Sequence, residues 1–194
     1  LRSHGWSRSN KKNEYTRIAK KYPKLDPRYI FINQGFNLRP TDVQAAMGLN
    51  QFERLDKFIN IRINNRKKII ESLKKDPRWK NQYRFIQVPK NIEPSFMGLP
   101  IFLNENMTKE IKTKLLLYLE AEGIETRPIL TGNFLNQPSI KLFGLNNEKL
   151  KFKGAQSIED LGFLIGLHTK EINQKQLNLI KNSLFFIDSL SKDL

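Results

Sequence analysis

Cysteine is absent from the 194 residues. That excludes disulfides and thiolate metal sites, and it fits a reducing compartment such as the cytoplasm. Histidine is scarce. Only His4 and His168 offer an imidazole, and no His/Asp/Glu cluster has the spacing of metal ligands. No apolar run is long enough to cross a membrane, so no membrane partner is expected. The chain opens on Leu1-Arg2-Ser3-His4, without an initiator Met, a signal peptide or a targeting pattern. Acidic residues are few: 19 Asp and Glu stand against 34 Lys and Arg, for a formal net charge of +15 and a pI near 10.0. Such a balance suits nucleic acid in principle. Yet zinc-finger spacing, an RNP-like Gly/aromatic run and a GXXG loop among basic residues are all missing. The cations are spread along the chain, densest between Arg2 and Arg28, rather than gathered into one stripe. A nucleic-acid partner is therefore not expected, and the charge has no single explanation in the sequence.

What is present is a hydrophobic fraction of 39%, with 13 Phe, enough for one domain or one domain plus an arm. The richest local signal runs from Gly35 to Gly48. A polar loop with Asn37 and Arg39 leads into Thr41-Asp42-Val43-Gln44, which fits the S/T-x-x-E/Q capping box with an acid in the first turn. A helix start of this kind directs backbone N–H groups outward and is a natural anion site. On spacing alone, a well-capped helix with a solvated Arg39 explains the segment as well.

Periodicity orders the remainder. A short helix near 14–21, a turn at Tyr22-Pro23 and an extended piece at 29–32 come first. From Asp42 to about Lys75 the pattern is helical, with Phe52, Leu55, Ile59, Ile69, Ile70 and Leu73 on one side. Pro77 ends it, which predicts a boundary near 76–83. Strands are expected at 84–88, 96–103, 124–129 and 162–167. Helices are expected from Thr108 to Glu122, with Gly123 as the C-terminal cap, and at 148–157 and 173–190. Leu177, Ile180, Leu184 and Ile187 form the apolar stripe of the last one.

Gly-Phe-Asn-Leu-Arg-Pro-Thr-Asp-Val-Gln-Ala-Ala-Met-Gly-Leu-Asn-Gln-Phe-Glu-Arg-Leu, from Gly35 to Leu55, resembles the "GYNxRxxxxQAAxGxxQLxxL" segment of the DegT/DnrJ/EryC1/StrS family of pyridoxal-phosphate (PLP) enzymes, which act on nucleotide-linked keto sugars. Arg2-Ser3-His4-Gly5-Trp6 resembles the loop that precedes that segment. Glu125-Thr126-Arg127-Pro128-Ile129 with Gly132-Asn133-Phe134 resembles an "ETRPIxxGNF" signature of one branch. Gly162 to His168 is similar to the late strand of the family. The four matches keep family order and span nearly the whole chain.

The resemblance implies an α/β fold: the C-terminal part of a fold-type I PLP-dependent transferase, a long helix plus a small α/β domain with a short mixed or antiparallel sheet. Residues 1–76 would be the end of the large PLP-binding domain with its linking helix, and 77–194 the small domain. The Lys that binds the cofactor and the Asp that pairs with its ring nitrogen would lie upstream, so no catalytic residue is assigned here and the fragment alone is expected to be inactive. By the same resemblance Asn37 and Arg39 hold the PLP (or pyridoxamine phosphate) of a partner subunit, which makes the enzyme a homodimer with shared active sites. His4, Arg127, Asn133 and His168 face the nucleotide sugar. Arg is suited to bidentate phosphate contact, although an ion pair between Arg127 and Glu125 is the plainer alternative. His168 closes a buried apolar strand, where a polar side chain needs a partner. It is followed by Thr169 where that branch carries a second His. The default reaction the resemblance implies is transfer of an amino group, usually from glutamate, to the keto sugar. The alternative is the 3-dehydratase reaction of the same family, which uses His in place of the cofactor Lys. A non-enzymatic basic binding module is the third reading.

Overall fold

The computed structural model describes residues 5–7, 11–38, 40–144 and 152–190. They fall into two compact units, Leu1–Arg54 and Leu55–Leu194.

The first unit holds helices α1 (Lys12–Lys21) and α2 (Asp42–Phe52). Between them, Asp26 caps a 3-10 turn at Pro27–Tyr29, so the extended piece expected at 29–32 shrinks to a bridge between Trp6 and Phe31. Gly5 needs its freedom there. It sits at φ +76, and a Cβ would fall 1.9 Å from the Asn33 carbonyl oxygen. Among the described residues of this unit, only Ile18 and Ile30 are buried hydrophobics. Helix α2 buries none of its residues, and Val43, Met47, Leu49 and Phe52 are each about two-thirds or more exposed. The capping box at Thr41 and Gln44 forms as expected.

The second unit begins with helix α3 (Leu55–Lys74). The single helix expected from 42 to 75 is therefore two helices, separated by a turn at Glu53 and Arg54. Both are good helix formers, so periodicity gives no sign of the break. Ile61, Asn65, Ile69 and Leu73 recur every four residues on the buried face of α3. Ile69 and Leu73 join the core of this unit, and the compact division of the chain falls at 54/55.

Four strands follow: β1 (Tyr83–Phe85), β2 (Gly98–Leu103), β3 (Thr126–Arg127) and β4 (Gly162–Gly166). They form one sheet in the order β1-β2-β4-β3, and every pairing is antiparallel. Strand β3 is far shorter than the expected 124–129, because only Thr126 and Arg127 find partners on β4. Leu99, Ile101, Leu103, Phe163 and Ile165 are essentially fully buried. Each contributes on the order of 1.5–3 kcal/mol of apolar burial.

Helices α4 (Lys109–Ala121), α5 (Lys153–Leu161), α6 (Gln174–Leu184) and α7 (Ile187–Leu190) complete the unit. Thr108 caps α4, whose Ile111, Leu115 and Leu119 are buried. Its far end closes as expected at Gly123, φ +79, where the Ile124 N–H bonds the Leu119 carbonyl and the Gly123 N–H bonds that of Glu120. Helix α5 starts later than expected and runs to Leu161; residues 145–151 lie outside the described set. The last expected helix is split at Phe185 and Phe186, but its stripe packs as read, with Leu184 and Ile187 buried and Leu177 and Ile180 against the core.

Candidate functional site

The loop before α2 comes first in the chain. Asn37 is exposed on it. The capping box closes the helix end on itself: the Thr41 N–H donates to Gln44 Oε1 at 2.8 Å, and the Gln44 N–H donates to Thr41 Oγ1 at 3.3 Å. Asp42 adds a negative charge in the first turn. The helix start therefore has two of its backbone donors engaged by the expected box and an acid beside it. The Asn37 amide, a neutral donor on an exposed loop, fits a single contact to a phosphate group. His4 and Arg39, two further expected contacts, lie outside the described residues.

In the second unit, strand β4 organises the other three. His168 lies just past its end. The residue is exposed rather than set in a buried strand terminus, because β4 stops at Gly166 and Leu167 is the last buried position. Its Nδ1 accepts the Lys170 N–H at 3.0 Å, which fixes the ring and leaves Nε2 facing away from that bond. Asn65, only 3% exposed, holds the turn beneath it. Its Nδ2 donates to the His168 and Lys170 carbonyls at 3.2 and 2.8 Å, and its Oδ1 accepts the Ile172 N–H at 3.0 Å. An open cleft of about 660 Å³ lies here, lined by Asn65, Ile69, Glu125, Ile165, His168 and Ile180 among others.

Arg127 pairs with Leu164 midway along β4. Its exposed guanidinium donates to Glu125 Oε1 from Nε at 2.9 Å and from Nη2 at 2.6 Å. An exposed pair of this kind adds little stability, and an anionic ligand can compete for the Arg. Arg127 thus lies opposite the middle of β4, whereas His168 lies two residues beyond its end at Gly166, and Glu125, the partner of Arg127, lines the same cleft as His168.

Asn133 sits by the start of β4. It is 8% exposed, and its side chain makes two hydrogen bonds within the protein. Nδ2 donates to Gln156 Oε1 at 3.0 Å, and Oδ1 accepts the Leu135 N–H at 3.2 Å. These bonds anchor Asn133 and its loop to α5. The partners that hold it, Gln156 and Glu159, escaped the sequence reading because they lie more than 20 residues downstream with no motif of their own. Among the described residues no group of three or more His, Cys, Asp or Glu side chains is placed to hold a metal. No described helix is long and apolar enough to cross a membrane.

A four-stranded antiparallel sheet backed by helices has the architecture of the C-terminal part of a PLP-dependent transferase. The chain belongs to the DegT/DnrJ/EryC1/StrS aminotransferase family, whose model matches residues 1–184. It is 28% identical over 173 residues to a GDP-4-keto-6-deoxy-D-mannose 3-dehydratase of Escherichia coli, covering 89% of this chain and 42% of that protein. It is 27% identical over 180 residues to the enzyme of the same name from Yersinia pseudotuberculosis, covering 92% and 44%. A solved structure of the E. coli GDP-4-keto-6-deoxy-D-mannose-3-dehydratase with bound hydrated PLP superposes at a TM-score of 0.73 with 27% identity, over 95% of this chain and 45% of that one. The chain thus spans under half the length of the curated relatives it matches.

Proposed function

We propose that these residues are the C-terminal portion of a PLP-dependent enzyme that acts on a nucleotide-linked 4-keto sugar. Residues 1–76 would close the large domain and 77–194 form the small one. The bound cofactor supplies the electron sink for chemistry next to the keto group. This chain's part is to hold and orient. The Asn37 amide would donate to the cofactor phosphate across a homodimer interface, with Arg39 beside it. The Arg127 guanidinium would leave Glu125 for the diphosphate, a charge-assisted contact. His168, its ring fixed through Nδ1, would present Nε2 to the sugar, and His4 would stand at the rim. The nucleotide-sugar site takes its amino group or reducing equivalent from an amino acid such as glutamate.

Of the two reactions, removal of the 3-hydroxyl is favoured. The observation that carries it is the match, over nine-tenths of the chain or close to it, to two 3-dehydratases. Amino transfer is the second reading, favoured by the family's own description as aminotransferases.

The test uses the full-length protein with PLP, glutamate and GDP-4-keto-6-deoxymannose, with products followed by mass spectrometry. A product that has lost its 3-hydroxyl supports the dehydratase. A product carrying nitrogen in place of the keto oxygen replaces it with the aminotransferase. A protein that takes up no PLP ends both and leaves the basic binding module.

A further inference from the structure

The loop between β3 and the 3-10 turn at Phe134–Asn136 is held harder than its exposure requires. Leu130 is 87% exposed, yet its φ is 52°. A left-handed Leu costs free energy and persists only where neighbours over-determine the backbone. The residues that follow Leu130 are held by α5. Glu159 Oε2 accepts the Asn133 N–H at 2.9 Å and the Asn136 side-chain amide at 2.9 Å. Gln156 Oε1 accepts the side-chain amides of Asn133 and Asn136 at 3.0 and 3.1 Å. Gly132, at φ +64, lies against the same Glu159, so that a Cβ there would fall 2.6 Å from Glu159 Cβ.

Helix α5 is itself fixed by α4. Lys112, only 9% exposed, donates from Nζ to the Glu159 carbonyl. That carbonyl is near the C-terminal end of α5, where a cation is favoured. Burial pushes the Lys112 ammonium's pKa below its ordinary value, so the contact is kept against a desolvation penalty. Lys109 Nζ stands 3.8 Å from Glu159 Oε1, on the side away from the loop bonds, and 3.6 Å from Asp160 Oδ1.

We propose that Glu159 is a positioning residue for nucleotide-sugar recognition. It locks the 130–136 loop so that Arg127 and the outward Leu130 meet the ligand in one arrangement. The proposal rests on the reading of Arg127 as a sugar-nucleotide contact. Glu159 touches no ligand itself; it acts through Gly132, Asn133 and Asn136.

The experiment uses the full-length protein, with GDP-4-keto-6-deoxymannose as the probe. It compares Glu159→Ala, Glu159→Gln and Arg127→Ala by KM, kcat, the PLP absorption band and hydrogen exchange at the Asn133 amide. Glu159→Ala should raise KM by roughly tenfold or more, because a loosened loop no longer presents its contacts. Its kcat and PLP band should hold, and the Asn133 amide should lose protection while the β2–β4 amides keep theirs. Glu159→Gln should stay within about threefold of the parent, since its Oε1 can accept both loop bonds and only the Lys109 pairing is lost. Loss of Asn133 protection in Glu159→Ala with KM unchanged, while Arg127→Ala raises KM, overturns the proposal alone. An unchanged KM in Arg127→Ala instead overturns the substrate reading beneath it. If Glu159→Ala does not fold, Gln156→Ala takes its place. It must show the same rise in KM, and an unchanged KM there counts against the positioning role.

Discussion

Asn65 Oδ1 accepts the Ile172 N–H at 3.0 Å, joining the middle of α3 to the turn that carries His168. The same side chain holds the His168 and Lys170 carbonyls. One buried amide thus sets the path of the chain beneath the cleft. Asn65→Ala removes the side-chain partner of the His168 and Lys170 carbonyls and of the Ile172 N–H. It should lower stability by about 2 kcal/mol, read by urea denaturation. It should also weaken nucleotide-sugar binding through the displaced His168 turn. A substitution with no effect on stability would mean that the turn holds its own shape.

Two glycines separate strain from collision. Gly123 is at φ +79 with nothing within 4 Å of a built Cβ. Gly132 is at φ +64 with Glu159 Cβ, Cγ and Cα all closer than 3.0 Å. Gly123→Ala should cost about 1 kcal/mol, the left-handed penalty alone. Gly132→Ala should cost about 2 kcal/mol more, because α5 must move as well. Equal costs in thermal or urea unfolding would remove Glu159 as the reason for this glycine.

Leu130 gives a change in the other direction. Leu130→Gly relieves the left-handed backbone but makes the unfolded chain more flexible. The net effect on stability should lie between zero and a gain of about 1 kcal/mol. If the exposed leucine meets the ligand, affinity falls even as stability holds. Isothermal titration against the nucleotide sugar, set beside denaturation, separates the two effects.

Much of this fold was legible from local pattern. The Thr41/Gln44 box, the Thr108 cap, the Gly123 terminus and the apolar stripe of the last helices all follow from residues within a few positions of one another. Glu53 and Arg54 hid the break between α2 and α3, since neither opposes a helix. The length of β3 was hidden for a different reason: Ile124–Ile129 reads as a strand, but only β4 decides which of its residues pair. The site was legible only through family likeness. Asn65, Gln156 and Glu159 look like solvated helix residues. What makes them matter are partners 20 to more than 100 residues away, such as Asn133 for Glu159 and Ile172 for Asn65.

Acid should loosen the join between α3 and α6. Arg78 grips Asp76 by hydrogen bonds of 2.8 and 2.9 Å, and Lys181 Nζ of α6 stands 3.2 Å away. The Arg78 side-chain bonds above all, then its backbone N–H, hold the Asp76 carboxyl well below its ordinary value of 3.8. A carboxylate with a lower pKa folded than unfolded adds stability that is complete above the unfolded value and is lost as pH falls through the folded one. The window therefore opens near pH 3.8 and extends downward. Asp76→Asn should flatten the fall of stability with pH in that window. Parallel curves for the two proteins would show that this carboxylate plays no part in acid unfolding.

The proposed hold of the exposed Asn37 amide on a cofactor phosphate is read from PLP binding to the full-length protein, followed by visible absorption, with Asn37→Ala alongside. The parent should show a bound cofactor band and the variant an affinity weakened by roughly tenfold, the worth of one hydrogen bond to a charged phosphate. No cofactor band in the parent, or an affinity indifferent to Asn37, would contradict that hold.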